Sequence, residues 1–231
     1  MYDYLGTTVF VSVIAFAAFF LALSMVAAQL PALIHPAQRP SAVFVIVVTV
    51  LAAPIVLSPL TVGLFSIAQR MFRHDDPSVK VGLRGARELI GGSFALGYVQ
   101  TIVAVVLISD AAFLLTLKPF AAKATGILAA YAFICWAMMA IYQWALLVEQ
   151  KKSLRLTLYR SFLLTVANPG YTFVSAAFSG ILLLGFLRLL FMWRYGVALM
   201  VPVSMFYGSL LPCLHTSATL EILRKYDDVV A

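Results

Sequence analysis

Long apolar tracts, broken by short charged segments, organise this chain. TTVFVSVIAFAAFFLALSMVAAQL and VFVIVVTVLAAPIVLSPLTVGLFSIA are two of them. A helix that is apolar all round belongs in hydrocarbon or in the middle of a large core, and about 20 such residues cross a bilayer. The tracts predict six spans, lying within residues 4–38, 40–69, 94–117, 124–148, 171–193 and 195–220. The expected fold is all-α: a polytopic membrane bundle of six transmembrane helices forming a single domain over 1–231. The first tract has no Lys or Arg ahead of it and is too long for a signal-peptide core, so it is expected to be retained as a helix.

Two charged segments show the one-sided pattern of an amphipathic helix. In DDPSVKVGLRGARELIGG, Val79, Leu83, Ala86 and Ile90 fall on one stripe and Lys80, Arg84 and Arg87 on the next. Asp76 is placed to cap, Pro77 to open the helix and Gly91-Gly92 to end it. In KKSLRLTLYRSFLLTVANPG, Ser153 is placed to cap, Arg155 and Arg160 supply the charge, and Asn168-Pro169-Gly170 ends the run. Both segments, near 77–90 and 153–167, are expected to lie as interfacial helices on the cytoplasmic surface.

The composition agrees with a membrane protein. Hydrophobic residues make up 63% and charged residues 11%, whereas a soluble domain is nearer half apolar and a quarter charged. The net charge of +7 would raise nucleic acid as a partner of a soluble protein. Here its distribution has a simpler cause. Eleven of the 16 Lys and Arg fall on the side of the bilayer that holds both termini: Arg70, Arg73, Lys80, Arg84, Arg87, Lys151, Lys152, Arg155, Arg160, Arg224 and Lys225. The other side has Arg39, Lys118, Lys123, Arg188 and Arg194. The positive-inside rule then puts both termini in the cytoplasm, with the lipid bilayer as first partner and no nucleic acid.

The two charged segments also resemble each other. Ser78-Val-Lys-Val-Gly-Leu83 aligns with Ser153-Leu-Arg-Leu-Thr-Leu158, 75 residues on, and SIAQRMFRHDD resembles ATLEILRKYDD, 152 residues on. One reading is three parallel hairpin repeats, near 1–78, 79–153 and 154–231, related by an axis along the membrane normal. The other is convergence of cytoplasmic loops on a shared composition.

Candidate chemistry is sparse. Asp110 sits in VLISDAAFLLTL and Arg188 among leucines, each roughly 10 Å inside the outer boundary of its span by helical rise. Intramembrane charge is costly and marks a functional hypothesis. Three readings stand: a buried Asp110–Arg188 pair that fixes register, separate snorkelling and capping, or a polar cavity that binds a small solute or proton. Gln100, Gln143 and His215 each stand alone, the last as a hydrogen-bonded structural residue. Cys135 and Cys213 read as small buried hydrophobes. Pro54, Pro59, Pro202 and Pro212 predict kinks. No metal-ligand spacing, phosphate loop or nucleophile motif is visible, so no cofactor, no metal and no catalytic residue are expected.

The passage PLTVGLFSIAQRMFRHDDPSVKVGLRGARELIGGSFALG, residues 59–97, resembles the YesL-like family of small bacterial membrane proteins. A proline ends a span, a basic helix end meets an acidic-proline step, and a basic amphipathic helix leads into the next span. NPG before the fifth span and the RKYDD tail are similar in layout, so the resemblance covers nearly the whole chain. It implies an association with carbohydrate uptake and an accessory role. The family has no established activity, so no catalytic residues carry over.

The combined expectation is a non-enzymatic accessory or scaffold subunit beside a solute-uptake system. It would dock partner subunits or lipid headgroups through Lys80, Arg84, Arg87, Arg155 and Arg160. The alternative is a small-solute carrier or substrate-binding subunit that uses Asp110 and Arg188. Asp110→Asn, with assembly and uptake assayed separately, divides these. Lost uptake in a correctly assembled protein favours the solute site, and lost assembly favours the register pair.

Overall fold

The computed structural model describes residues 12–191 and 211–225, apart from positions 15, 16, 20, 23, 27, 30, 34, 36, 37, 74, 76, 77 and 152. The described residues are helices and short connections. In chain order these are α1 (Ser12–Leu33), closing in a 3-10 turn at Pro31–Leu33, α2 (Arg39–Phe72), α3 (Val79–Glu88), α4 (Ile90–Thr116), α5 (Phe120–Gln150), α6 (Leu154–Ala167), α7 (Pro169–Phe191) and α8 (211–225). Four of them are long and apolar enough to cross a membrane: α1, α2, α4 and α5. The chain is therefore an all-helical protein with the build of a membrane protein. The expected start of the sixth span, Pro202, Arg194, Lys152 and His74 lie outside the described residues.

Helix α2 runs through Pro54 and Pro59 without a break in 34 residues. Its buried residues collect at the second half, from Val62 to Ala68, while Phe44, Val47, Leu51 and Ile55 are exposed. The same asymmetry holds in the hairpin of α4 and α5. Leu96 near the start of α4 and Ala145, Leu147 and Val148 near the end of α5 join Val62 and Phe65 in one buried cluster. A second cluster joins Tyr142 and Leu146 of α5 to Leu164 of α6, with Ile222 and Leu223 of α8 against it. Tight packing thus sits at one end of the bundle, where α2 and α5 finish and α4 starts. Elsewhere large apolar side chains such as Ile102, Val106, Phe113, Leu128 and Tyr131 face outward, as they would toward lipid. Cys135 shares that outward surface and is exposed, so it is not the buried small hydrophobe the sequence suggested.

Small residues explain why that end closes. Lipid tails are as apolar as leucine, so helices in a bilayer associate through close packing, not through hydrophobic exclusion. A Cβ on Gly82 would lie 3.2 Å from the Gly63 carbonyl oxygen and 2.9 Å from Ile67 Cδ1. A Cβ on Gly85 would fall 2.8 Å from Ser66 Cβ. Helix α3 is therefore seated on α2 at near backbone contact. Gly97 of α4 makes the corresponding approach to Ser58, whose Cβ would be 3.1 Å from an added methyl carbon.

Two expected boundaries move. Helix α3 starts at Val79 with Ser78, not Asp76, in the N-cap position, in extended backbone and without a side-chain capping hydrogen bond; Asp76 and Pro77 lie outside the described residues. Gly91 and Gly92 do not end α3. The break is the single residue Leu89, and both glycines fall in the first turn of α4. The reason is spatial: a Cβ on Gly92 would press on Leu147 Cδ1 of α5 at 3.3 Å.

Helix α6 also departs from expectation. Its buried face is Thr157, Ser161, Leu164 and Thr165, and its exposed face includes Tyr159, Phe162 and Val166. The hydroxyls reach back to carbonyls of their own helix, as in Thr165 Oγ1 to Ser161 O at 2.8 Å. Small polar residues make the packing face and aromatics turn outward, the reverse of an amphipathic helix lying in water. The element pattern nevertheless recurs: long, short and long helices α2–α3–α4 are followed by α5–α6–α7, with Ser78 and Ser153 both in N-cap positions.

The α2–α3 seat makes a quantitative expectation. Gly85→Ala should lower stability by about 1–3 kcal/mol, the usual cost of overpacking, measured by thermal unfolding in detergent. Adding Ser66→Gly should restore most of it, because the clash is with that one side chain.

Candidate functional site

The closed end carries the ionic groups. Glu149, one residue before the end of α5, accepts from Gln69 Nε2 through one carboxylate oxygen and from Arg73 Nη2 through the other. Its side chain is 19% exposed, so this node holds α2 to α5 partly out of solvent. Arg70 pairs with Asp75 at 2.6 Å. Lys151 is the residue with positive φ, 48°, among the described non-glycine residues. Its left-handed backbone ends α5 and turns the chain into α6 within three residues. The same turn sends its ammonium to Glu88 of α3, 2.7 Å away. That hydrogen bond and the Lys151 charge, with smaller help from Arg84 and Arg70, hold the Glu88 carboxyl below its ordinary range.

Helix α3 is thus fixed on two sides, by glycine contact with α2 and by an ion pair to α5. What it leaves outward is Lys80, Arg84 and Arg87, with Leu83 67% exposed among them. Positions i, i+4 and i+7 share one helical face, so the three cations form one stripe. Arg155 is exposed and Arg160 half-buried on α6. Five residues apart, they point about 140° from each other and make no common face. Of the five expected docking residues, the fold therefore groups the three on α3.

Asp110 and Arg188 are both exposed, on α4 and α7. Among the described residues the ion pairs are Arg70–Asp75, Arg73–Glu149 and Lys151–Glu88, and neither Asp110 nor Arg188 belongs to one. Asp110 stands six residues before the end of α4, about 9 Å along the axis.

The polar residues that do meet inside the bundle are others. Gln100 Nε2 donates to Gln143 Oε1 at 2.6 Å, joining α4 to α5 with Gln143 fully buried. Tyr142 and Thr172 share a hydrogen bond of 2.7 Å between α5 and α7. His215 Nε2 lies 3.4 Å from Ser179 Oγ, joining α8 to α7. Ser179 donates to Ser175 O, so in the His215 contact its oxygen is the acceptor and the imidazole nitrogen the donor. His215 is thus hydrogen-bonded to α7. The two glutamines had a readable signal: Gln100 is 20 residues before Phe120 and Gln143 is 23 after it, which puts them at similar depth in one hairpin. Ser179 and His215 had none.

A cleft of about 550 Å³ opens at this same end between the start of α7 and α8, lined by Asn168, Tyr171, Glu221, Ile222, Arg224 and Lys225. Among the described residues no cluster of three or more His, Cys, Asp or Glu could hold a metal ion. Comparison with family models, curated proteins and solved structures gave no match.

The Glu88–Lys151 clasp has a definite pH dependence. A carboxyl with a lowered folded value stabilises above the unfolded value and loses that contribution as pH falls through the folded one. Protection factors for the α3 amides, with the intrinsic pH dependence of exchange divided out, should therefore be highest at neutral pH and fall modestly as the Glu88 carboxylate protonates in acid. In Glu88→Gln the protection should already be modestly lower at neutral pH, with a smaller further loss in acid.

Proposed function

We propose that this chain is a non-enzymatic accessory or scaffold subunit that works beside a solute-uptake system in a bacterial cytoplasmic membrane. Six spans are part of the proposal: α1, α2, α4 and α5, a fifth formed by α7, and a sixth ending in α8. So are three parallel hairpin repeats and cytoplasmic termini. The recurrence of long, short and long helices supports the repeats, and the gathering of basic residues at the closed end supports the orientation. The resemblance of residues 59–97 to the YesL-like family supports the link to carbohydrate uptake.

One observation carries the docking role. The Lys80–Arg84–Arg87 stripe is exposed on a helix that is itself rigidly held, by Gly63 and Ser66 beneath it and Lys151 beside it. A solvated charge run needs no such anchoring. A pre-organised cationic face with an exposed Leu83 at its edge fits an acidic, partly apolar patch on a partner subunit, because little side-chain and backbone ordering is left to be lost on binding.

Mild-detergent co-purification from native membranes at native expression, followed by mass spectrometry, tests this. Transporter subunits should be recovered in fixed ratio and lost when Lys80, Arg84 and Arg87 are replaced together by Gln. Recovery of the chain alone would overturn a stable complex and turn attention to solute binding by Asp110 and Arg188.

A further inference from the structure

The cleft between α7 and α8 holds charge that the rest of the closed end does not neutralise. Glu221, Arg224 and Lys225 stand three and four residues apart on α8, the spacing at which opposite charges pair along a helix. They do not pair: the three ion pairs among the described residues lie elsewhere. All three are exposed, and all three line one concavity. Its floor is fixed, because Ile222 packs on the buried cluster of Tyr142, Leu146 and Leu164.

The level of the cleft in the molecule is defined as well. Tyr171 is the third residue of α7, and Lys225 is the last described residue of α8. Both lie toward the end that collects Arg70, Arg73, Glu88 and Lys151, with Thr172 beside Tyr171 bonded to Tyr142 of α5, and the six-span reading proposed above puts this level in the headgroup region. A tyrosine at that level belongs to the aromatic belt of a membrane protein. From the cleft, α7 continues with exposed Phe173, Val174 and Ile181, an apolar surface along which acyl chains can lie.

A simple anion would meet Glu221 and a simple amine would meet Arg224 and Lys225. A ligand with both charges close together satisfies all three. Along α8 the acid and the two bases are separated by about 4.5–6 Å of rise, which suits an ammonium and a phosphodiester joined by a two-carbon link. Asn168 adds a donor: one amide hydrogen goes to Leu164 O at 3.3 Å, and the second remains for a phosphate oxygen. We infer that this cleft binds the headgroup of a phosphoethanolamine lipid, with the ammonium at Glu221 and the phosphate at Arg224 and Lys225. Soluble phosphoethanolamine esters share the chemistry, but the headgroup level and the apolar track on α7 assign the site to a bilayer lipid. The site is separate from the α3 stripe and independent of what docks there.

Native mass spectrometry of the full chain in detergent tests this, with phosphatidylethanolamine, phosphatidylglycerol and soluble glycerophosphoethanolamine as probes. Phosphatidylethanolamine should be retained one-to-one and preferred over phosphatidylglycerol by roughly threefold or more, the range expected for one exposed charge contact. Glu221→Gln should remove the preference, and Arg224→Gln with Lys225→Gln should weaken both lipids. Thermal melting of each variant keeps a folding defect distinguishable from a lost contact. Equal retention of the two lipids, with no effect of Glu221→Gln, would overturn the assignment. Displacement of the lipid by millimolar glycerophosphoethanolamine would overturn the bilayer source in favour of a soluble ester.

Discussion

The near backbone contact between α2 and α3 is the constraint on which the closed end depends. In a bilayer, helices gain little from hiding apolar surface from one another, so association rests on how closely they can approach. Gly63, Ser66, Gly82 and Gly85 remove the side chains that would keep the axes apart. Once α3 is seated, its C-terminal Glu88 lies within reach of Lys151, and the end of α5 is drawn into the same layer. Gly97 against Ser58 repeats the device where α4 crosses α2. The buried cluster of Val62, Phe65, Leu96 and Val148 fills the space those approaches define.

Electrostatics at this end add specificity more than stability. Arg70–Asp75 and Lys151–Glu88 are substantially exposed, and exposed pairs contribute little. Glu149 is different, since it is mostly covered and its two oxygens serve Gln69 of α2 and Arg73 just past the end of that helix. It fixes the register of α5 against α2 at the point where both helices finish. Deeper in, Gln100 and Gln143 do the same for α4 against α5. Interhelical amide bonds of this kind contribute modestly in membranes, but each excludes a slipped alignment that would strand a buried amide.

The helices were readable from the sequence because all-round apolar tracts have one physical outcome. The basic stripe of α3 was readable for the same reason, since a 3.6-residue period in charge is unambiguous over three turns. Packing was not. Hydroxyl-lined α6 looked like a basic amphipathic helix because its two arginines drew attention from Thr157, Ser161 and Thr165, which make its inner face. Asp110 and Arg188 matched in depth but not in facing, and depth is all that helical rise supplies. Gly91-Gly92 looked like a stop, because glycine serves both as a helix terminator and as a place where two helices touch. Only the position of Leu147 separates the two uses.

The single residue Leu89 between α3 and α4 has a mechanical consequence. With no slack in the connection, a force applied to the cationic face cannot be absorbed by a loop. It must tilt or rotate α4, carrying Gln100 and its partner on α5 with it. The cationic face of α3 and the long α4–α5 hairpin behave as one lever, with its fulcrum at the glycine seat on α2.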